Sequence, residues 1–219
     1  MKNIAPVFSF LLLLLTSNSL MSQEHYVSFG KDVRNLSFAN GSDAQLKTIV
    51  GAIKSEDGYL GLFMGIGDTI SSISPKEFLI GNSTYFIGAE KIESDFLVFG
   101  WYEEGSNPVK SFFLRVDSFG TPRWANVRNM FVPNFDLKVT TLARSLNSEN
   151  MVVGGYLSTV NSNLLEKNKV SFYSEIDTAV RNRIWSKRFN SNTHSNDSFD
   201  FDRINHVLPI PSLGWYFLS

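Results

Sequence analysis

The residues of this chain whose types and spacing could do chemistry are carboxylates and aromatics. Asp197, Asp200 and Asp202, flanked by Asn192, His194 and Asn196, crowd hard oxygen ligands onto one polar stretch. Calcium is held by oxygens of this kind, so the three aspartates are the weak metal candidate of the sequence. The D-x-[DN]-x-[DN]-G loop is absent. Phe199 and Phe201 alternate with Asp200 and Asp202, which equally describes a strand with one solvated face. Glu90, Glu93 and Asp95, and the pair Glu103–Glu104, could serve as glycosidase carboxylates if two of them faced each other across a cleft. Both groups fall in turns beside strands, where charge is ordinarily solvated. The histidines, His25, His194 and His206, stand in no metal-ligand spacing, and without cysteine no thiolate chemistry exists. No catalytic residue and no cofactor emerge.

Aromatics offer a different chemistry. Trp101, Tyr102, Tyr156 and Trp215, with Tyr216, border expected strand ends, where a ring can stack on a sugar or a peptide. These are the binding candidates. Trp124 and Trp185 lie mid-strand and read as packing between elements.

The elements that must position these residues are strands. SFFLRVD (Ser111–Asp117) alternates, with Phe112, Leu114 and Val116 on one face and Phe113, Arg115 and Asp117 on the other. VSFYSEID (Val170–Asp177) does the same through Phe172, Ser174 and Ile176. This is the pattern of a half-buried strand. A turn and a tryptophan-centred strand follow each, around Trp124 and Trp185. A recurring segment precedes them: VGAIKSEDGYLGLF from Val50, IGAEKIESDFLVFG from Ile87, LARSLNSENMVVGG from Leu142 and VLPIPSLGWYFLS from Val207. In each an aliphatic residue opens, a polar turn intervenes, and an apolar strand begins nine positions on, at Tyr59, Phe96, Met151 and Tyr216. Self-similarity of this kind marks a repeat architecture. The only helical turns expected lie near Asp43–Val50.

Composition sets the compartment and narrows the partners. Lys2 followed by the apolar run Phe8–Leu15 and the small, polar Thr16–Ser19 is signal-peptide anatomy, too short for a permanent membrane span. Cleavage is expected after Ser19 or Ser22, giving a secreted or cell-surface protein. The formal charge of −1 argues against nucleic acid, which needs clustered Lys and Arg. With 19 phenylalanines and no cysteine in 219 residues, an exported chain of this kind must hold itself by burial alone.

The run LVFGWYEEGSNPVKSFFLRVDSFGTPRWA (Leu97–Ala125) resembles blades of secreted bacterial, Bacteroidetes-type β-propeller repeat proteins, through Gly100, Asp117, Gly120 and Trp124. Gly155, Asp177 and Trp185 form the second match; Gly154–Gly155, Tyr173 and Trp185 are similar, less closely, to kelch propellers. The resemblance implies an all-β, partial and unclosed propeller of antiparallel three- to four-stranded blades. The expected organisation is a signal peptide at 1–22, a lead-in at 23–49 and propeller-like units from 50 to 219. Units start near 50, 87, 142 and 207, the last cut short, as in a fragment of a longer chain. The expected role is a non-enzymatic scaffold or binding surface for an extracellular protein or carbohydrate. A polysaccharide hydrolase or lyase propeller and a β-sandwich adhesion module are the alternatives.

Overall fold

The computed structural model describes residues 32–40, 47–66, 75–128, 135–145, 150–159, 169–177, 183–189, 206–210 and 214–218. Among them every regular element is a strand. The first sheet holds β1 (Val33–Asn40), β2 (Lys47–Lys54), β3 (Tyr59–Ile66) and the short β4 (Lys76–Phe78). The second holds β5 (Ser83–Ile92), β6 (Asp95–Glu103), β7 (Lys110–Val116) and β8 (Pro122–Arg128). The third holds β9 (Phe135–Arg144), β10 (Met151–Thr159), β11 (Lys169–Ile176) and β12 (Arg183–Phe189). A fourth pairs β13 (His206–Ile210) with β14 (Gly214–Leu218). Each sheet is an antiparallel meander in chain order. Residues 47–50, where helical turns were expected, belong to β2, because the β-branched run Thr48–Ile49–Val50 suits a pleated, buried strand. The division expected at 49/50 falls inside that strand, and β1 is part of the first sheet.

The sheets pack on one another in chain order. Strand β5 lies across β1, β2 and β3; β9 lies across β5, β6 and β7; β13 lies across β9 and β10. The second sheet is therefore covered on both faces. Phe96, Val98, Phe112, Leu114 and Val116 join Val50, Phe63 and Phe86 in a core shared with the first sheet. Leu97, Phe99 and Phe113 turn the other way, into a core with Leu137, Val139, Met151 and Phe172 of the third. Strand β7 was expected to be half-buried; Phe113, on its supposedly outer face, is fully buried. Period-two alternation reports which residues share a face, and a second sheet can cover either face.

One joint recurs in three sheets. Opposite a glycine in the middle of the second strand, the first strand carries a bulge: beside Gly51 between Arg34 and Ser37, beside Gly100 between Phe86 and Gly88, and beside Gly155 at Val139–Thr141. A Cβ at Gly100 or Gly155 would collide with the backbone carbonyl of Tyr85 or Lys138 on the bulged strand, and one at Gly51 would sit tightly against that of Arg34. The bulge twists the first strand and lets it swing onto the preceding sheet. Aligned on these glycines, Leu62, Phe112 and Phe172 occupy one register position, and all three are fully buried. Trp124 and Trp185 likewise pair with equivalent residues, Arg115 and Glu175. The recurring segment read from the sequence is out of step with this register. Val50 lies in the second strand of its sheet, whereas Ile87, Leu142 and Val207 lie in the first strand of theirs. The β5–β6 turn is also two residues shorter than the β9–β10 connection, since Lys91 pairs with Phe96 but Arg144 with Met151.

The two seams between these sheets are fitted differently. Where the first meets the second, Gly61 makes room for the Phe86 ring, and a Cβ there would sit 2.5 Å from Cε1. Where the second meets the third, the equivalent residues are Ser111 and Val139. The Ser111 hydroxyl donates to the Leu137 carbonyl and accepts from the Val139 N–H, each at 2.9 Å. Gly61→Ala should cost about 1–3 kcal/mol by overpacking, and Phe86→Val should recover part of that cost in the double variant. Chemical denaturation of the four corners of this cycle measures the coupling; additivity would disprove the fit. Thr48, buried beneath the second sheet, has a hydroxyl with no hydrogen-bond partner. Thr48→Val should therefore raise stability by about 1 kcal/mol, read as a higher denaturation midpoint.

Candidate functional site

Three of the half-exposed aromatic residues gather at one end of the sheets, where β2 passes into β3 and β6 ends. Tyr59 opens β3, Tyr85 lies near the start of β5, and Trp101 pairs with Tyr85 from β6. The Tyr59 and Tyr85 ring centroids are 5.1 Å apart, and those of Tyr85 and Trp101 are 6.1 Å apart. Cations close both ends of this row: the Arg34 guanidinium stands 4.8 Å from the Tyr59 ring centroid and the Lys138 ammonium 5.1 Å from that of Trp101. The row thus runs from the first sheet through the second to the third. At such partly wet sites each cation–π contact is worth about 0.5–1 kcal/mol, and each aromatic pair a similar amount.

The fold places these rings through hydrogen bonds at equivalent positions of the two seams. The Tyr59 N–H donates to Ser83 Oγ at 3.3 Å, and the Val109 N–H to Asp136 Oδ1 at 2.8 Å. Ser83 and Asp136 each stand two residues before the residue, Tyr85 or Lys138, that pairs with the next strand's Trp101 or Tyr156. Leu137 adds a backbone bond to the Val109 carbonyl at 2.9 Å. Burial pushes the Tyr85 phenol up from its ordinary value; the neighbouring Glu103 charge adds to this, while a hydrogen bond with Ser83 opposes it.

Of the aromatics singled out in the sequence, Trp101 is the one that the described side chains place in this row. Tyr102, one residue on, faces the opposite side and is 7% exposed, its ring packed 6.4 Å from that of Phe112. It is core, because successive strand residues alternate faces and the first sheet covers that one. Tyr156 is half-buried at the equivalent position of β10, opposite Lys138. Trp215 is placed on β14, opposite Pro209, and its side chain lies outside the described residues. Asp197, Asp200 and Asp202 also lie outside them. Trp124 packs against the core between the second and third sheets. Tyr59, Tyr85 and Arg34 were missed by sequence reading. Their only signal is that each stands near a strand end, which many polar and aromatic residues share.

The carboxylates are drawn elsewhere. Arg115 binds Asp95 Oδ2 through Nε at 2.7 Å and Glu93 Oε2 through Nη2 at 3.1 Å. Burial works against the Arg115 charge, but these two partners outweigh it and hold the guanidinium firmly protonated. The site is at the far end of β6, about 20 Å from Trp101 by strand rise. Asn150 and Glu175 make the corresponding clip in the third sheet, at 2.8 Å. Glu104 pairs with Lys110 at 3.3 Å. Among the described residues, no group of three or more acidic or histidine side chains could hold a metal ion.

Asp117 organises the β7–β8 turn. Its Oδ1 accepts from the N–H groups of Phe119 and Thr121 at 2.9 and 2.8 Å, with Gly120 at φ 76°. Burial would raise its carboxyl, but these donors and Arg123 outweigh it and hold Asp117 below the usual aspartate value. Glu90 is different: burial beside the third sheet pushes its carboxyl up, and Arg144 only partly offsets this.

Neither a scan against protein-family models nor a search of curated proteins returns a match to this chain.

The Glu90 shift has a definite sign. The folded state favours its protonated form, so its penalty is absent below the ordinary glutamate value of 4.5 and grows as pH rises through the higher folded value. Glu90→Gln should therefore melt higher than the parent at pH 7–8, with the gap closing by pH 4. Thermal melts across that range check it; a gap that widens in acid would contradict the burial argument.

Proposed function

We propose that this chain is an exported, non-enzymatic β-propeller repeat protein that serves as a scaffold and presents a binding surface. The observation that carries this reading is the way successive antiparallel meanders stack in chain order. The first strand of each lies across the sheet before it, and three of the sheets share one glycine-and-bulge joint. Radial stacking of blades is built from such a step. A β-sandwich needs two facing sheets, whereas here the second sheet is covered on both sides, which favours blades.

The geometry supports binding over hydrolysis. The reading of a polysaccharide-cleaving propeller needs two carboxyl groups facing each other beside an aromatic platform. Glu93 and Asp95 are instead both engaged by Arg115 at the opposite end of β6 from Trp101. The half-exposed aromatic row is the strongest binding feature among the described residues.

Export and the absence of catalysis are tested together by expressing the full chain in a bacterium with a secretion system. The secreted fraction should begin at Leu20 or Gln23 and release no reducing ends from a panel of polysaccharides. Retention in the cytosol with Met1 intact would sink the export reading, and steady release of sugar would sink the scaffold reading.

A further inference from the structure

We infer that the row Tyr59–Tyr85–Trp101, with Arg34 and Lys138 at its ends, is a binding strip for a neutral glycan chain; this rests on the binding-surface reading above. Three observations carry it. The three rings stay half-buried where most neighbouring aromatics are fully enclosed, so part of each is left to a ligand. Rings of this kind stack on the C–H faces of a pyranose through the same dispersion and burial that pack them in cores.

The polar surroundings carry both signs. Arg34 lies 3.5 Å from Asp32, the Lys138 ammonium stands by Trp101, and Glu103 neighbours Tyr85. Positive and negative groups are thus balanced along the strip, which suits neither a polyanion nor a basic peptide. Sugar hydroxyls both donate and accept, and the strip offers both: guanidinium, ammonium and phenol donors, with carboxylate acceptors. The charge balance therefore selects an uncharged, hydroxyl-rich ligand.

The third observation concerns occupancy. Arg34 and Lys138 lie over the outer rings, on faces that a sugar would take. Both are long, flexible side chains anchored to β1 and β9, and each can swing aside without moving a strand. They act as built-in competitors that keep the rings covered until a ligand arrives. Removing the competitor should tighten binding, an effect that a purely structural row would not show.

The experiment uses the full mature chain and titrates it calorimetrically with cellohexaose, laminarihexaose and xylohexaose, and separately with a galacturonate hexamer and a hexalysine peptide. At least one neutral hexasaccharide should bind, with both charged probes weaker. Trp101→Ala should weaken that binding by about tenfold, and Lys138→Met should tighten it roughly two- to fivefold, the range set by one exposed cation–π contact. Phe119→Ala, which removes an exposed ring on the β7–β8 turn outside the strip, should bind like the parent, and a cooperative thermal melt of the Trp101 variant excludes loss of fold as the cause. No binding by any neutral hexasaccharide at millimolar concentration overturns the proposal, as does tighter binding of either charged probe or weaker binding by the Lys138 variant. Each of these outcomes leaves export and the stacked-sheet scaffold untouched, so the two readings fail separately.

Discussion

The structure depends on a sheet that has no outer face. In β6 five consecutive residues, Phe96 to Gly100, are buried, and their side chains point alternately to opposite sides. Such a strand cannot present one face to water, so its sheet must be covered twice. The first sheet supplies one cover through Val50 and Phe63, and the third supplies the other through Val139 and Met151. Chain order, the bulged first strands and the close glycine contacts all follow from the need to lay sheet on sheet without a gap. With no cysteine to cross-link it, the molecule relies on this apolar layering for its cohesion.

Polar groups enter the layering only where they are matched. Ser111 satisfies a donor and an acceptor of β9 with one hydroxyl, and Asp136 receives the Val109 N–H. Among the described residues Thr48 is the exception, a buried hydroxyl left without a partner. At the sheet ends the same logic gives way to aromatics and cations, which tolerate both an apolar neighbour and water. The change from sealed seam to half-open row within two residues, from Ser83 to Tyr85, is what makes that end of the molecule chemically accessible.

Much of the strand content was legible in the sequence, and less of its arrangement. Alternation in Ser111–Val116 and Ser171–Ile176 locates β7 and β11 and names the residues that share a face. It could not reveal that Phe113 would be covered, because coverage is decided by another sheet far along the chain. The recurring segment misled for a related reason. Any two adjacent antiparallel strands with a polar turn look alike, so the β2–β3 hairpin matched β5–β6 although it lies one strand out of phase. The glycine of the second strand is the better marker, since it is tied to a bulge. Trp101 was visible as a strand-end aromatic, but Tyr85 meets it through the β5–β6 register and Tyr59 joins the row only through the stacking of two sheets.

The two seams also bear on how such a chain can change over generations. Gly61 faces Phe86 in one seam and Ser111 faces Val139 in the next, so the sheets share a plan yet are not interchangeable. A copy of the second sheet inserted after itself would set Ser111 against a new Phe86, and the ring would have nowhere to go. Duplication would thus have to be followed by paired changes on both sides of each new boundary. Every seam becomes a private lock and key, which fixes the order of the sheets as firmly as the chain itself does.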